Sequence, residues 1–166
     1  MAAGDKTLWA DIDLLVNRRR CRLVATATQS IPHNVATALT FTSEEYDVYG
    51  FHDPVTNNSR ITPNVAGWYT VRGAVHFPAR ADWTMIQCYY RKNGAGGTSI
   101  ASGDRQGTTG NVAQSRSPQA ALIDFNGTTD YVELITQHTN TAAVAQVTNQ
   151  SAFLSSIFEV IYEGPL

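Results

Sequence analysis

The segment Arg60–Phe77, RITPNVAGWYTVRGAVHF, decides the fold class. From Gly67 onward it alternates: Tyr69, Val71, Val75 and Phe77 fall on one side with Gly73 among them, and Trp68, Thr70, Arg72, Ala74 and His76 on the other. Successive side chains of extended backbone point to opposite sides, so a period of two marks a strand with one buried and one wetter face. Pro63-Asn64-Val65-Ala66-Gly67 breaks the chain just ahead of it, as a tight turn does.

The same pattern spreads outward in both directions. Strands are expected near Cys21–Thr28, Ala36–Thr42, Tyr46–Phe51, Gly67–Phe77, Thr84–Arg91, Thr98–Ser102, Gln119–Phe125, Tyr131–His138, Ala143–Thr148 and Ala152–Tyr162. Polar separators at His52–Ser59, Lys92–Gly97, Gly103–Gly110 and Asn126–Asp130 divide them. Many short strands at this spacing, with no internal repeat, predict an all-β sandwich or barrel. The exception is residues 5–20, DKTLWADIDLLVNRRR, where Leu8, Ile12, Leu15 and Val16 recur at helical spacing with Trp9 beside them. Asp5 or Thr7 would cap this helix. Asp11 and Asp13 sit toward its positive end and Arg18–Arg20 at its negative end. So short a helix is marginal alone in water, and its apolar stripe needs a partner. The chain therefore divides into an N-terminal arm, 1–20, and one head, 21–166.

Composition narrows the class. At 166 residues the chain is long enough to bury a core. Its 43% hydrophobic content is ordinary, whereas 16% charged is low, with Thr, Ser, Asn and Gln taking the room. A net charge of −2 gives no basic footprint for nucleic acid. No apolar run approaches the ~20 residues that cross a bilayer, so membrane insertion is not expected. The first apolar segment, Leu8–Val16, is interrupted by Asp11 and Asp13, and its basic cluster follows it, unlike a signal peptide. Synthesis in a cytoplasm is the expectation, with the sequons at Asn57, Asn126 and Asn149 left unglycosylated. Cys21 and Cys88 read as small buried hydrophobes, and a bridge between them would require neighbouring strands.

The last strand carries large apolar groups on both faces. Phe153, Ile157 and Ile161 lie on one, with Leu154, Phe158, Val160 and Tyr162 on the other. A sandwich strand needs only one such face. Tyr131 and Ile135, facing away from Val132 and Leu134, raise the same question. Self-association is the simpler answer, and Tyr131, Ile135, Leu154, Phe158 and Val160 are the expected contacts between copies.

The order of the pieces resembles the C1q and tumour-necrosis-factor-like jelly roll. The proline-led alanine-glycine-x-tyrosine turn is matched by Pro63 to Tyr69. The basic residue before an asparagine-glycine turn is matched by Arg91-Lys92-Asn93-Gly94. Ile123-Asp124-Phe125, Asn126-Gly127 and Asp130-Tyr131-Val132 are similar to the next strand, turn and aspartate-led strand, and Phe153 lies on the terminal strand. The resemblance spans residues 21–166 and implies a jelly-roll β-sandwich assembled as a compact homotrimer around a threefold axis. Arg60-Ile61 departs from the family's strand before the proline turn, Thr128 and Thr129 stretch the aspartate-led turn, and no collagen stalk precedes the head. These departures speak against animal complement or cytokine activity. A helical arm joined directly to such a head looks, more loosely, like phage fibre and minor structural proteins.

Catalytic motifs are not found. His33, His52, His76 and His138 have neither metal-ligand nor nucleophile spacing, and no Gly-x-Ser-x-Gly or phosphate-cradling loop is present. No cofactor is expected, although Asp47 and Asp53 would suit calcium if further oxygens joined them. The polar stretch Asn93–Pro118 reads as an outer contact surface, with Asp104, Arg105, Gln106 and Asn111 as its contact residues. The resulting expectation is a non-enzymatic bacteriophage virion protein on the particle surface: capsid decoration, head fibre or tail-associated fibre head. Leu8, Trp9, Ile12, Leu15 and Val16 would anchor it to other virion proteins, and the head would contact a host glycan or protein. The alternative is a trimeric bacterial surface or spore-coat adhesin.

Overall fold

The computed structural model describes residues 18–101, 112–149 and 155–166. The thirteen strands among them are β1 (Arg20–Val24), β2 (Ser30–Ile31), β3 (Thr37–Ala38), β4 (Ser43–Asp47), β5 (Arg60–Ile61), β6 (Ala66–Arg80), β7 (Trp83–Lys92), β8 (Ser99–Ile100), β9 (Val112–Arg116), β10 (Ala121–Asn126), β11 (Val132–Asn140), β12 (Gln146–Val147) and β13 (Ile157–Gly164). All are antiparallel. The first sheet runs β10-β6-β13-β1-β4, with β9 also on β6; the second runs β3-β11-β7-β8, with β5 also on β11; β12 and β2 form a separate ribbon. The expected helix over 5–20 lies almost wholly outside the described residues. Its last members are tied to the head: Arg20 opens β1, and Arg19 O accepts Tyr162 N–H at 2.8 Å.

The alternation of the opening segment becomes the core. Tyr69, Val71, Val75 and Phe77 are all fully buried, while Trp68, Thr70 and Arg72 turn outward. Tyr69 organises one end, its ring 5.4 Å from Phe125, 5.1 Å from Tyr162 and 6.0 Å from Phe51, all edge to face. Its hydroxyl donates to Val65 O at 2.9 Å, so the buried phenol keeps a partner. Two glycines of β6 allow close approach. A Cβ on Gly67 would run into the Tyr162 ring and meet Gly164 O at 2.5 Å. One on Gly73 would meet Leu134 Cδ2 of the second sheet at 2.9 Å.

Turns that the sequence marks are built as side-chain chemistry requires. Asn93 and Gly94 take left-handed backbone conformations, φ 60° and 75°. Asn126 Oδ1 accepts the N–H groups of Thr128, Thr129 and Asp130 at 2.9, 2.9 and 3.0 Å, which holds the lengthened turn closed. Lys92 Nζ lies 3.1 Å from both Asp124 and Asp130, joining the two sheets at this end.

Several expectations need correction. Phe158 and Val160 do not face another copy: both are fully buried inside the sandwich, with Phe158 stacked between Phe41 at 6.0 Å and Tyr90 at 6.2 Å. Both faces of β13 are apolar, and pairing with β1 and β6 sends the even-numbered residues inward. Three strands were missed, β2, β5 and β9. Of these β9 lies in the polar stretch expected to be an outer contact surface, beyond its one expected strand at Thr98–Ser102, with Gln114 its one buried residue. Tyr46–Phe51 shifts to Ser43–Asp47, and Ala36–Thr42 shrinks to Thr37–Ala38.

Cys21 and Cys88 are unbridged and fully buried, one in each sheet. Burial pushes both thiols up, Cys88 to about 12 and Cys21 further still with the help of Asp47. Neither should react with a thiol reagent at pH 8 in the folded protein, and both should react in denaturant, as counted by mass spectrometry. Phe158→Ala should lower unfolding stability by about 3–5 kcal/mol in urea titration, the range for a large aromatic truncated in a core.

Candidate assembly face and outer loops

Because β13 sends Phe158, Val160 and Tyr162 inward, it presents Ile157, Glu159 and Ile161 outward. Pairing lays these across the first sheet in rows. Ile157 lies between Val24 and Ala74, Glu159 between Arg22 and Arg72, and Ile161 between Arg20 and Thr70. Thr70 is next to Leu122, and Trp68 next to Asp124, on β10. Trp68 is 40% exposed and Leu122 60%, large values for such side chains on a sheet face.

The middle row is electrostatically built. Glu159 is largely buried, and a buried carboxylate must be paired and hydrogen-bonded to be tolerated. Tyr46 donates its hydroxyl to Glu159 Oε1, and Arg22 Nη1 lies 4.0 Å from Oε2. Arg22 Nε is 2.7 Å from Glu45, and the Arg20 guanidinium sits 4.5 Å above the Tyr46 ring. Burial, and then the Glu159 carboxylate it serves, push the Tyr46 phenol up. Arg72, directly opposite Glu159, projects into solvent. A cleft of about 350 Å³ opens here, lined by Arg22, Arg72, Ala74, Pro118, Ile157 and Glu159. This row was not legible as a site in the sequence, although an acid between Ile157 and Ile161 in an apolar strand is the signal it left.

Other expected residues are placed elsewhere. Tyr131 and Ile135 lie on the outward face of the second sheet, not beside β13, so the five expected contacts do not form one surface. Arg60 stacks 4.0 Å over Tyr131 and lies 3.5 Å from Glu133. Ile135 is nevertheless almost fully covered within the single chain. Leu154, the anchor residues Leu8, Trp9, Ile12, Leu15 and Val16, and the loop residues Asp104, Arg105, Gln106 and Asn111 lie outside the described residues. The flank of that loop is placed, with Val112 opposite Arg80, at the end of β6 remote from Arg20.

Asp53 borders a polar pocket of about 300 Å³ lined also by His52, Asn57, Arg60 and Asn64, whereas Asp47 does not line it. Each carboxylate serves its own backbone. Asp47 Oδ2 accepts His52 N–H at 2.8 Å, and Asp53 Oδ1 accepts Val55 and Thr56 N–H at 2.9 Å each. Those backbone bonds hold the Asp53 carboxyl below the usual range. Among the described residues no three His, Cys, Asp or Glu side chains gather where they could hold a metal.

Glu159→Ala would leave Arg22 and Arg72 facing each other and the Tyr46 hydroxyl without its acceptor. The expected loss is about 2–3 kcal/mol by urea unfolding, against about 1 kcal/mol for Tyr46→Phe, which removes one hydrogen bond.

No family model and no curated protein matches the chain. Solved structures do. Murine APRIL at pH 5.0 aligns with a TM-score of 0.65 and 10% identity, covering 89% of this chain and 100% of that one. Murine APRIL at pH 8.0 gives 0.64 and 11%, with 89% and 100% covered. Eiger TNF from S. frugiperda gives 0.62 and 12%, with 90% and 94% covered. At this identity the likeness is one of fold, spanning nearly the whole of each molecule. The chain has the two-sheet jelly-roll fold of these tumour-necrosis-factor-like structures.

Proposed function

We propose that the chain is a non-enzymatic, self-associating jelly-roll head that serves as a bacteriophage virion structural protein. One observation supports the self-association most: the outward face of the first sheet carries exposed Trp68 and Leu122 on one side of a part-buried charged row. Covering that face with sister copies buries two large apolar side chains per chain, each contributing about 1.5–3 kcal/mol before ordering costs. The threefold number comes from the resemblance to C1q-like and tumour-necrosis-factor-like heads.

The virion part rests on the amphipathic N-terminal segment. Chain topology is compatible with an anchored head, since Arg20 opens β1 at one end while the β6–β7 turn and Val112 lie at the other. Attachment through the segment before Arg20 would turn that far end outward, toward a host glycan or protein. A trimeric bacterial surface or spore-coat adhesin shares every part of this reading except the particle.

At micromolar concentration the protein should sediment as a trimer. Trp68→Asp combined with Leu122→Asp should weaken association at least about tenfold, the effect of 1.4 kcal/mol. A monomeric wild type would end the proposal. Deleting residues 2–17, which spares Arg19 and Arg20, should leave a trimer absent from purified phage particles by mass spectrometry. Normal incorporation of the truncated chain would refute the anchor.

A further inference from the structure

The ribbon of β2 and β12, with Ile31 opposite Gln146 and Ser30 opposite Val147, belongs to neither sheet. It lies near the end where β6 turns into β7, and His138 of β11 pins it. The His138 carbonyl accepts Asn34 N–H at 2.8 Å, and its ring Nε2 meets Ile31 O at 2.9 Å. A carbonyl can only accept, so Nε2 carries the proton. On the other side, Asn149 N–H reaches His76 O at 2.7 Å.

The His138 ring is fully buried in an aromatic enclosure, with ring centroids 5.3 Å from Trp83, 5.8 Å from Phe77 and 6.2 Å from His33, all edge on. Its Nδ1 is buried and has no hydrogen-bond partner among the described residues. A second proton there would be a charge with no acceptor in apolar surroundings. The titratable and charged groups around it among the described residues are the His33 imidazole, the Arg80 guanidinium and the Asp82 carboxylate. His33 comes from the segment after β2 and Arg80 from the end of β6. Asp82 of the β6–β7 turn is committed to Arg80, whose Nη2 donates to it at 2.9 Å. The facing positions on β2 and β7 are Ile31, Trp83 and Ile86, which carry no charge.

We propose that His138 is an acid-sensitive latch, its second protonation releasing the β2/β12 ribbon and uncovering the Phe77–Trp83 end while both sheets stay folded. Burial pushes the imidazole down; the bond to Ile31 O works against this, His33 and Arg80 with it, and the balance stays below the ordinary value. An unfolded or opened imidazole titrates near about 6.5. Below that value the open form binds the proton and the closed form does not, so acid favours opening until His138 itself titrates.

Hydrogen exchange on the full chain, corrected for intrinsic rates, tests this between pH 7.5 and 5.0. Protection at Asn34, Thr148 and Asn149 should fall about tenfold per pH unit below ~6.5, while β7 and β11 amides hold. His138→Gln keeps an Nε2 donor toward Ile31 O but cannot take the proton, so its ribbon protection should be flat. His76→Gln, which retains the backbone carbonyl, should open like the wild type. An acid-independent wild type, opening in His138→Gln as large as in the wild type, or loss of the effect in His76→Gln overturns the latch. Should His138→Gln fail to fold, nitrogen NMR of the wild-type ring decides. Ribbon opening that tracks His138 protonation supports the latch, and opening with the ring still neutral refutes it.

Discussion

β13 lies between β6 and β1, with Val160 opposite Val71 on one side and Cys21 on the other, and both sheets depend on that register. A slip of one residue would turn Phe158, Val160 and Tyr162 out to solvent and drive Glu159 into the core. Each lost aromatic is worth about 3–5 kcal/mol, and a buried carboxylate without partners costs several more. The register is therefore held by what it excludes as much as by what it buries. Gly67 and Gly73 complete the arrangement, since β6 can take Tyr162 and Leu134 this closely only where it has no Cβ.

The same register gives the first sheet its outward character. Setting Glu159 between Arg22 and Arg72, with Tyr46 donating to it, makes a charged row with large apolar side chains in the rows beside it. Trp68, Leu122 and Ile161 lie on one side of that row, Ile157 and Ala74 on the other. A face so arranged offers both burial and orientation: the apolar groups favour being covered, and the charges restrict how. At the far end of the sheet the logic reverses. The ribbon is pinned by a few bonds to His138 and His76, so this end has the low local stability from which moving parts are drawn.

Legibility in the sequence followed the same physics. Gly67–Phe77 could be read outright because one face of β6 is buried and the other is wet, which writes a period of two into the chain. The proline-led turn before it and Asn93-Gly94 were readable because their backbone conformations favour particular residues. β13 could not be resolved, since both its faces are apolar, and Phe158 and Val160 went to the wrong side. What would have settled it is Glu159, whose partners Tyr46 and Arg22 sit on strands more than a hundred residues away. β2 and β5 are two residues long, too short for any period to show, and β9 follows a polar sequence because it buries one side chain.

Whether the outward face of the first sheet is covered by sister copies is read most directly by hydroxyl-radical footprinting of Trp68 across a dilution series. The account predicts strong protection of Trp68 and Leu122 at high micromolar concentration, lost on dilution, while Val48 and Val55 in the β4–β5 loop stay labelled throughout. Labelling of Trp68 that matches its 40% exposure at every concentration would contradict it.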